Sequence, residues 1–205
     1  MYFMKLLVAT NNAGKIKELH ASLADLPVEL YGLKHFENTF EPEETGATFS
    51  ENAILKASSY ARQTGFWALS DDSGLEVEAL GGAPGVFSAR YAGKNATDEE
   101  RIVKLLDELA KNSDESRCAR FVCAMAVADE TGEIKFLTEG ICDGKIALNP
   151  RGTNGFGYDP IFVPDGYEQT FGELSSEIKG KISHRAQAIV KIMRFLRSFT
   201  QFYGS

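Results

Sequence analysis

Thr10-Asn-Asn-Ala-Gly-Lys15 is the first of several stretches in this 205-residue chain whose residue types suit chemistry better than packing. A strand that runs through a small-residue turn into a helix aims backbone N–H groups and the positive end of the helix dipole at one spot. Such a spot suits a phosphate. Lys15 adds a point charge, and Thr10, Asn11 and Asn12 add hydrogen-bonding groups around Ala13 and Gly14. The hexapeptide is not a P-loop, because the first glycine of G-x-x-x-x-G-K-[ST] is missing and Ile16 replaces the hydroxyl. The same residues also read as an ordinary helix start, with Asn11 or Asn12 as N-cap and Lys15 as a solvated charge.

Ser70-Asp71-Asp72-Ser73-Gly74 follows an apolar run directly. Adjacent carboxylates repel one another and are comfortable in water or around a cation. A hard divalent ion such as Mg²⁺ takes oxygen ligands and keeps several waters, so it fits this pair. The acidic loop Glu41-Pro-Glu43-Glu44 is a second source of carboxylates. Alone, that loop reads as a solvated charge run and Asp-Asp-Ser-Gly as a turn. Taken together, lysines, carboxylates and a phosphate cradle are the parts of a metal-assisted phosphoryl site.

Pro150-Arg-Gly-Thr-Asn-Gly-Phe-Gly-Tyr-Asp-Pro160 is one long glycine-studded segment. Its Phe156-Gly157-Tyr158-Asp159 portion is built to stack on and hydrogen-bond a ring; the alternative is a core aromatic beside a turn aspartate. Downstream, Ser183 is a good N-cap, which puts His184 and Arg185 in the first turn of a helix. Cations there oppose the helix dipole by a few tenths to about 1 kcal/mol. Their placement makes more sense beside an anion or a carbonyl oxygen, and Lys179 joins the same basic cluster.

The elements that must position these residues alternate. Met4 to Thr10 reads as a buried strand, followed by a helix with the stripe Ile16, Leu19, Leu23 and Leu26, stopped by Pro27. Val28–Tyr31 is a second strand. Thr48-Phe-Ser-Glu51 is a capping box that opens a helix ending at Gly65. That helix carries Asn52 and Lys56 on one face, set roughly opposite Phe49 and Tyr60. Phe66–Leu69 is a strand, and Leu75–Leu80 alternates as a half-exposed one. Thr97-Asp-Glu-Glu100 caps another helix, with Ile102, Leu105, Leu106 and Leu109 inward. Arg117–Ala128 and Ile134–Glu139 form a hairpin, and a helix of about five turns starts near Ser183. Strands alternating with helices predict an α/β fold with a mixed sheet covered by helices.

Composition sets the bounds. The length fits one domain, with room for two lobes, and 43% hydrophobic with 25% charged residues is ordinary for a soluble globular protein. A net charge of −7 weighs against nucleic-acid binding. The longest apolar N-terminal run is strand-length, too short for a signal peptide, and no stretch reaches a membrane span. Cys118, Cys123 and Cys142 lack metal-ligand spacing, and the first two lie in an apolar run. They read as buried free thiols of a reducing compartment, which predicts a cytoplasmic protein.

Taken in order, A-T-N-N-A-G-K from Ala9, E-T-G-A-T-F-S-E-N-A-I-L-K-A from Glu44, S-D-D-S-G-L from Ser70, G-G-A-P-G-V-F-S-A-R-Y from Gly81, P-R-G-T-N-G-F-G-Y-D-P from Pro150 and I-S-H-R from Ile182 closely resemble the inosine triphosphate pyrophosphatase family. The six segments run in the family order from Ala9 to Arg185, a span that takes in most of the chain. The resemblance implies an elongated, two-lobed α/β fold with the substrate in the cleft between lobes, forming one domain over residues 1–205, and a homodimer. It implies Mg²⁺-dependent hydrolysis of inosine, deoxyinosine and xanthosine triphosphates between the α and β phosphates, with no nucleic-acid or membrane partner. Carried over by position, Thr10, Asn11, Asn12, Ala13, Gly14 and Lys15 hold the triphosphate with help from Lys56. Asp72 serves as general base and, with Glu43 or Glu44, organises Mg²⁺. Ser73 contacts substrate, and Phe156, Gly157, Tyr158, Asp159, Lys179, His184 and Arg185 line the base and sugar pocket. Two rivals remain: a pyrophosphatase for modified pyrimidine or methylated guanine nucleotides, and a nucleotide-binding module without turnover.

Overall fold

The computed structural model describes residues 4–112 and 116–203, the last four of these by backbone alone. Strands β1 (Met4–Val8), β2 (Val28–Gly32), β3 (Trp67–Val77), β4 (Cys118–Ala128), β5 (Ile134–Ile146) and β6 (Phe162–Pro164) form one sheet in the order β2-β1-β3-β4-β5-β6. β1 pairs in parallel with β2 and with β3, whereas β5 and β6 pair antiparallel, so the sheet is mixed. The helices are α1 (Ala13–Leu23), α2 (Phe49–Thr64), α3 (Asp98–Lys111), α4 (Ser176–Ile182) and α5 (His184–Tyr203). Among the described residues no helix is long and apolar enough to cross a membrane.

Local chemistry sets the helix ends. Thr48 Oγ1 accepts from the Glu51 amide at 3.1 Å while the Glu51 carboxylate accepts from the Thr48 amide at 3.3 Å. Thr97 and Glu100 repeat this reciprocal bonding at α3. Each box satisfies two amides that the helix itself leaves open. Gly65 closes α2 at φ +67°, a left-handed conformation that favours glycine.

The chain falls into two compact units, Met1–Asp72 with Cys123–Glu139 and Gln187–Ser205, and Ser73–Val122 with Gly140–Ala186. Each has its own apolar core. In the first, Leu6, Val8 and Leu69 meet Leu19 and Leu23 of α1 and Ile189 and Ile192 of α5. In the second, Ile102, Leu105 and Leu109 of α3 meet Leu75, Val77, Phe121, Phe162 and Phe171. Burying a leucine or phenylalanine side chain in this way stabilises by about 1.5–3 kcal/mol.

Several expectations change. The Ser70–Gly74 stretch is neither a turn nor a break but the middle of one strand, and Glu78–Leu80 is a 3-10 turn. Asn52 and Lys56 do not lie opposite Phe49 and Tyr60; all four are buried on the same side of α2. Seven residues make nearly two helical turns, which returns Lys56 to the side of Phe49. Cys118 is exposed, near the start of its strand, while Cys123 and Cys142 are buried. Burial pushes the Cys142 thiol up to about 12.

Candidate active site

In the first unit, β3 carries the acids. Successive strand residues face opposite ways, so the adjacent carboxylates do not share one cation site as a pair. Asp71 turns to α1, where its Oδ2 lies 3.0 Å from Lys15 Nζ. Asp72 turns to α2, where its Oδ1 lies 3.0 Å from Lys56 Nζ and its Oδ2 accepts from Asn52 Nδ2 at 3.2 Å. Lys56 also donates to Glu44 Oε1 at 2.7 Å, so one ammonium bridges a strand acid and a loop acid. Glu44 is half-buried, whereas Glu43 is exposed. The structure therefore brings Glu44, not Glu43, to the lysine that holds Asp72.

Helix α1 starts as the sequence pattern requires. Asn12 is the N-cap, accepting from the Lys15 amide at 3.1 Å, and Thr10 Oγ1 accepts from the Asn12 amide at 3.2 Å. The amides of Ala13 and Gly14, in the first turn, have no intrahelical acceptor available. Asn11 is exposed beside them. Asn12 is thus an ordinary cap, but Lys15 is not a solvated charge: its side chain is only 14% exposed and ion-paired.

Electrostatics bind these groups into one centre. Burial alone would lower the Lys56 ammonium, but Asp72, Asp71 and Glu44 outweigh it and hold it above the ordinary lysine value. Burial raises the Asp72 carboxyl, with Glu44 adding to the rise and Lys56 and Lys15 opposing it. Three carboxylates, Asp71, Asp72 and Glu44, face two ammonium groups, Lys15 and Lys56. The centre is short of positive charge before any anionic ligand arrives.

The second unit gathers the basic and aromatic candidates. Lys179 Nζ lies 2.5 Å from Asp159 Oδ2 and 4.8 Å from the Phe156 ring centroid. The Arg185 guanidinium lies 5.6 Å from the same ring and donates to Ser73 Oγ at 2.9 Å. His184 stacks on Phe121 with centroids 4.7 Å apart. Ser183 caps α5 by accepting from the Ala186 amide at 3.2 Å, which seats His184 and Arg185 in the first turn as expected. Asp159 Oδ2 also accepts from the Phe156 amide at 2.8 Å, and Asp98 Oδ2 accepts from the Gly157 amide at 2.6 Å. Gly155 has φ +77°, and a Cβ there would overlap the Asp159 carboxylate. Tyr158 is not a stacking surface: its ring is buried in the second core and its hydroxyl donates to the Ser88 carbonyl at 3.0 Å. Phe156, half-buried, is the ring the loop presents.

The sequence profile of the Ham1 family matches residues 6–195. This chain belongs to the Ham1 family. It is 52% identical over 188 residues to a dITP/XTP pyrophosphatase of a Nostoc species, covering 92% of each chain. With a dITP/XTP pyrophosphatase of Exiguobacterium sibiricum it shares 46% identity over 196 residues, 96% of this chain and 98% of the relative. The solved structure of a HAM1 protein from Coxiella burnetii superposes with a TM-score of 0.90 at 44% identity, over 96% of this chain and all of that one. The Ham1 fold of this chain is therefore the α/β architecture with a mixed sheet that the alternating elements predict.

Two contributors to this charged centre, Asn52 and Asp71, have no role that the sequence pattern alone assigns. Asn52 was visible four residues before Lys56, but its hydrogen bond to Asp72 depends on the helix face. Asp71 was visible as half of a pair, and the period-two rule for strands would have separated it from Asp72 had the stretch been read as strand.

Proposed function

We propose that this chain hydrolyses inosine, deoxyinosine and xanthosine triphosphates to the nucleoside monophosphate and pyrophosphate, clearing them from the nucleotide pool. The observation that carries the reading is Lys56 bridging Asp72 and Glu44 within electrostatic reach of the Lys15–Asp71 pair. The activity named for the Nostoc and Exiguobacterium relatives supports it.

The donor set also supports Mg²⁺ as cofactor. Among the described residues no group of three or more His, Cys, Asp and Glu side chains is placed to hold a metal alone. Mg²⁺ does not require one, since it is commonly held by one or two carboxylates together with substrate phosphates and water. Asp72 and Glu44, drawn to one lysine in a centre with excess negative charge, fit that mode. When bound, the ion supplies Lewis-acid neutralisation of phosphate charge.

The protein's own groups do the rest. The α1 amides and Lys15 take the phosphate tail, with Thr10, Asn11 and Asn12 shaping the turn and Ala13 and Gly14 letting backbone approach. Lys56 screens phosphate charge from Asp72. Burial lifts the Asp72 carboxyl toward a proton-accepting role, so it takes the proton of the attacking water. Ser73, the next residue along β3, is held by the hydrogen bond it accepts from Arg185 and contacts substrate. Phe156 stacks on the base, Tyr158 and Asp159 hold the loop, and Lys179, His184 and Arg185 provide donors. A purine with a six-carbonyl satisfies such donors, whereas the amino group of adenine leaves them unpaired. The same reading makes the protein a cytoplasmic homodimer.

The test is pyrophosphate release from a nucleotide panel with Mg²⁺. The expected result is kcat/KM for inosine and xanthosine triphosphates at least about 100-fold above that for ATP. Preference for modified pyrimidines, or tight binding without turnover, would replace this reading.

A further inference from the structure

Asp71 is a buried acid to which the mechanism above gives no task. It is 2% exposed, and its Oδ2 lies 3.0 Å from Lys15 Nζ. The thiol of Cys123 on β4 donates to the same oxygen at 3.9 Å. The carboxylate is therefore held from one side by the sheet and grips the lysine on the other.

Its position beside a phosphate-binding lysine is costly in one respect. A carboxylate there repels the triphosphate and cancels part of the attraction of Lys15. An acid retained solely to strengthen ground-state binding would be misplaced. What it provides is position. A lysine side chain is a flexible four-carbon stem with many rotamers, and Asp71 fixes its ammonium near the start of α1. Rate depends on interactions that are stronger in the transition state than in the ground state.

We propose that Asp71 is a positioning residue for phosphate-chain hydrolysis, holding Lys15 Nζ where charge develops as the α–β bond breaks. The inference rests on the function proposed above. Misplacing a catalytic group by about 1 Å costs on the order of 100-fold, so Asp71→Asn lowers kcat by about 10- to 100-fold. KM for inosine triphosphate stays level or falls, because a repelling charge is gone. Lys15→Ala differs in kind, since it raises KM and lowers kcat together.

The experiment is a double-mutant cycle of Asp71→Asn and Lys15→Ala, read by pyrophosphate release, with thermal melts of each variant. If Asp71 acts through Lys15, adding Asp71→Asn to Lys15→Ala changes kcat/KM by less than about 3-fold. The double variant contains neither charge of the pair, so its comparison with Lys15→Ala decides the question even if Asp71→Asn alone does not fold. Multiplicative losses, a raised KM in Asp71→Asn, or an unchanged kcat would overturn the inference while leaving the proposed function standing. A wild-type protein that releases no pyrophosphate from the panel would remove both.

Discussion

Asp72 receives hydrogen bonds from an ammonium and an amide, Lys56 at 3.0 Å and Asn52 at 3.2 Å, inside a nearly dry strand position. Asparagine at this site keeps the size and one acceptor but cannot accept a proton. Asp72→Asn is therefore expected to lower kcat by about 100- to 10,000-fold, the range for removing a general base. Stability should change little, because Lys56 retains Glu44 as its partner. Single-turnover kinetics beside a thermal melt check both halves. Turnover within a few-fold of wild type would take Asp72 out of the chemistry.

The turn that joins β4 to β5 gives a prediction at the scale of an element. Asp129 Oδ1 accepts from the Thr131 amide at 2.9 Å, the Thr131 hydroxyl at 2.6 Å and the Glu133 amide at 3.1 Å, and Lys135 sits 2.9 Å from Oδ2. Burial pushes the carboxyl up, but the bonds from Thr131, Lys135 and Glu133 outweigh it and hold it at about 2. A carboxylate depressed in the folded state stabilises fully above its unfolded value of about 4. That stabilisation fades as pH falls through about 2. Asp129→Asn should melt about 3 °C or more below wild type at pH 7, and the gap should close toward pH 2. A gap that persists at low pH would show that shape, not charge, holds the turn. The hairpin of Arg117–Ala128 and Ile134–Glu139 was legible for the same reason that its turn is stable, since its signals are local. The capping boxes at Thr48 and Thr97 were legible likewise. β3 was legible only at its two ends, as the Phe66–Leu69 and Leu75–Leu80 runs, because the partners of its Ser-Asp-Asp-Ser centre come from distant elements, Lys15 of α1 for Asp71 and Lys56 and Asn52 of α2 for Asp72. α4 and β6 are too short for periodicity to register. The site residues were visible by type, but their facing was not: Asp71, Lys56 and Tyr158 each turned on a side-chain direction that only the element settles.

Trp67, the sole tryptophan, reports on the first unit, where it meets Phe199 with ring centroids 4.6 Å apart. Leu105 is fully buried in the core of the second. The chain crosses from one unit to the other within β3, β4, β5 and α5. Melting either unit thus pulls at four continuous elements whose other halves belong to its counterpart. A separate intermediate would have to break those elements mid-length and leave strand hydrogen bonds unmade, each costing about 1–3 kcal/mol where buried. The molecule should therefore unfold in one transition. Leu105→Ala, which removes about 2–5 kcal/mol, should lower the midpoint seen by Trp67 fluorescence by roughly 10 °C, matching the midpoint by far-ultraviolet circular dichroism. A Trp67 transition that stays at its wild-type temperature while the dichroism signal splits in two would mean that the units melt independently, despite the strands they share.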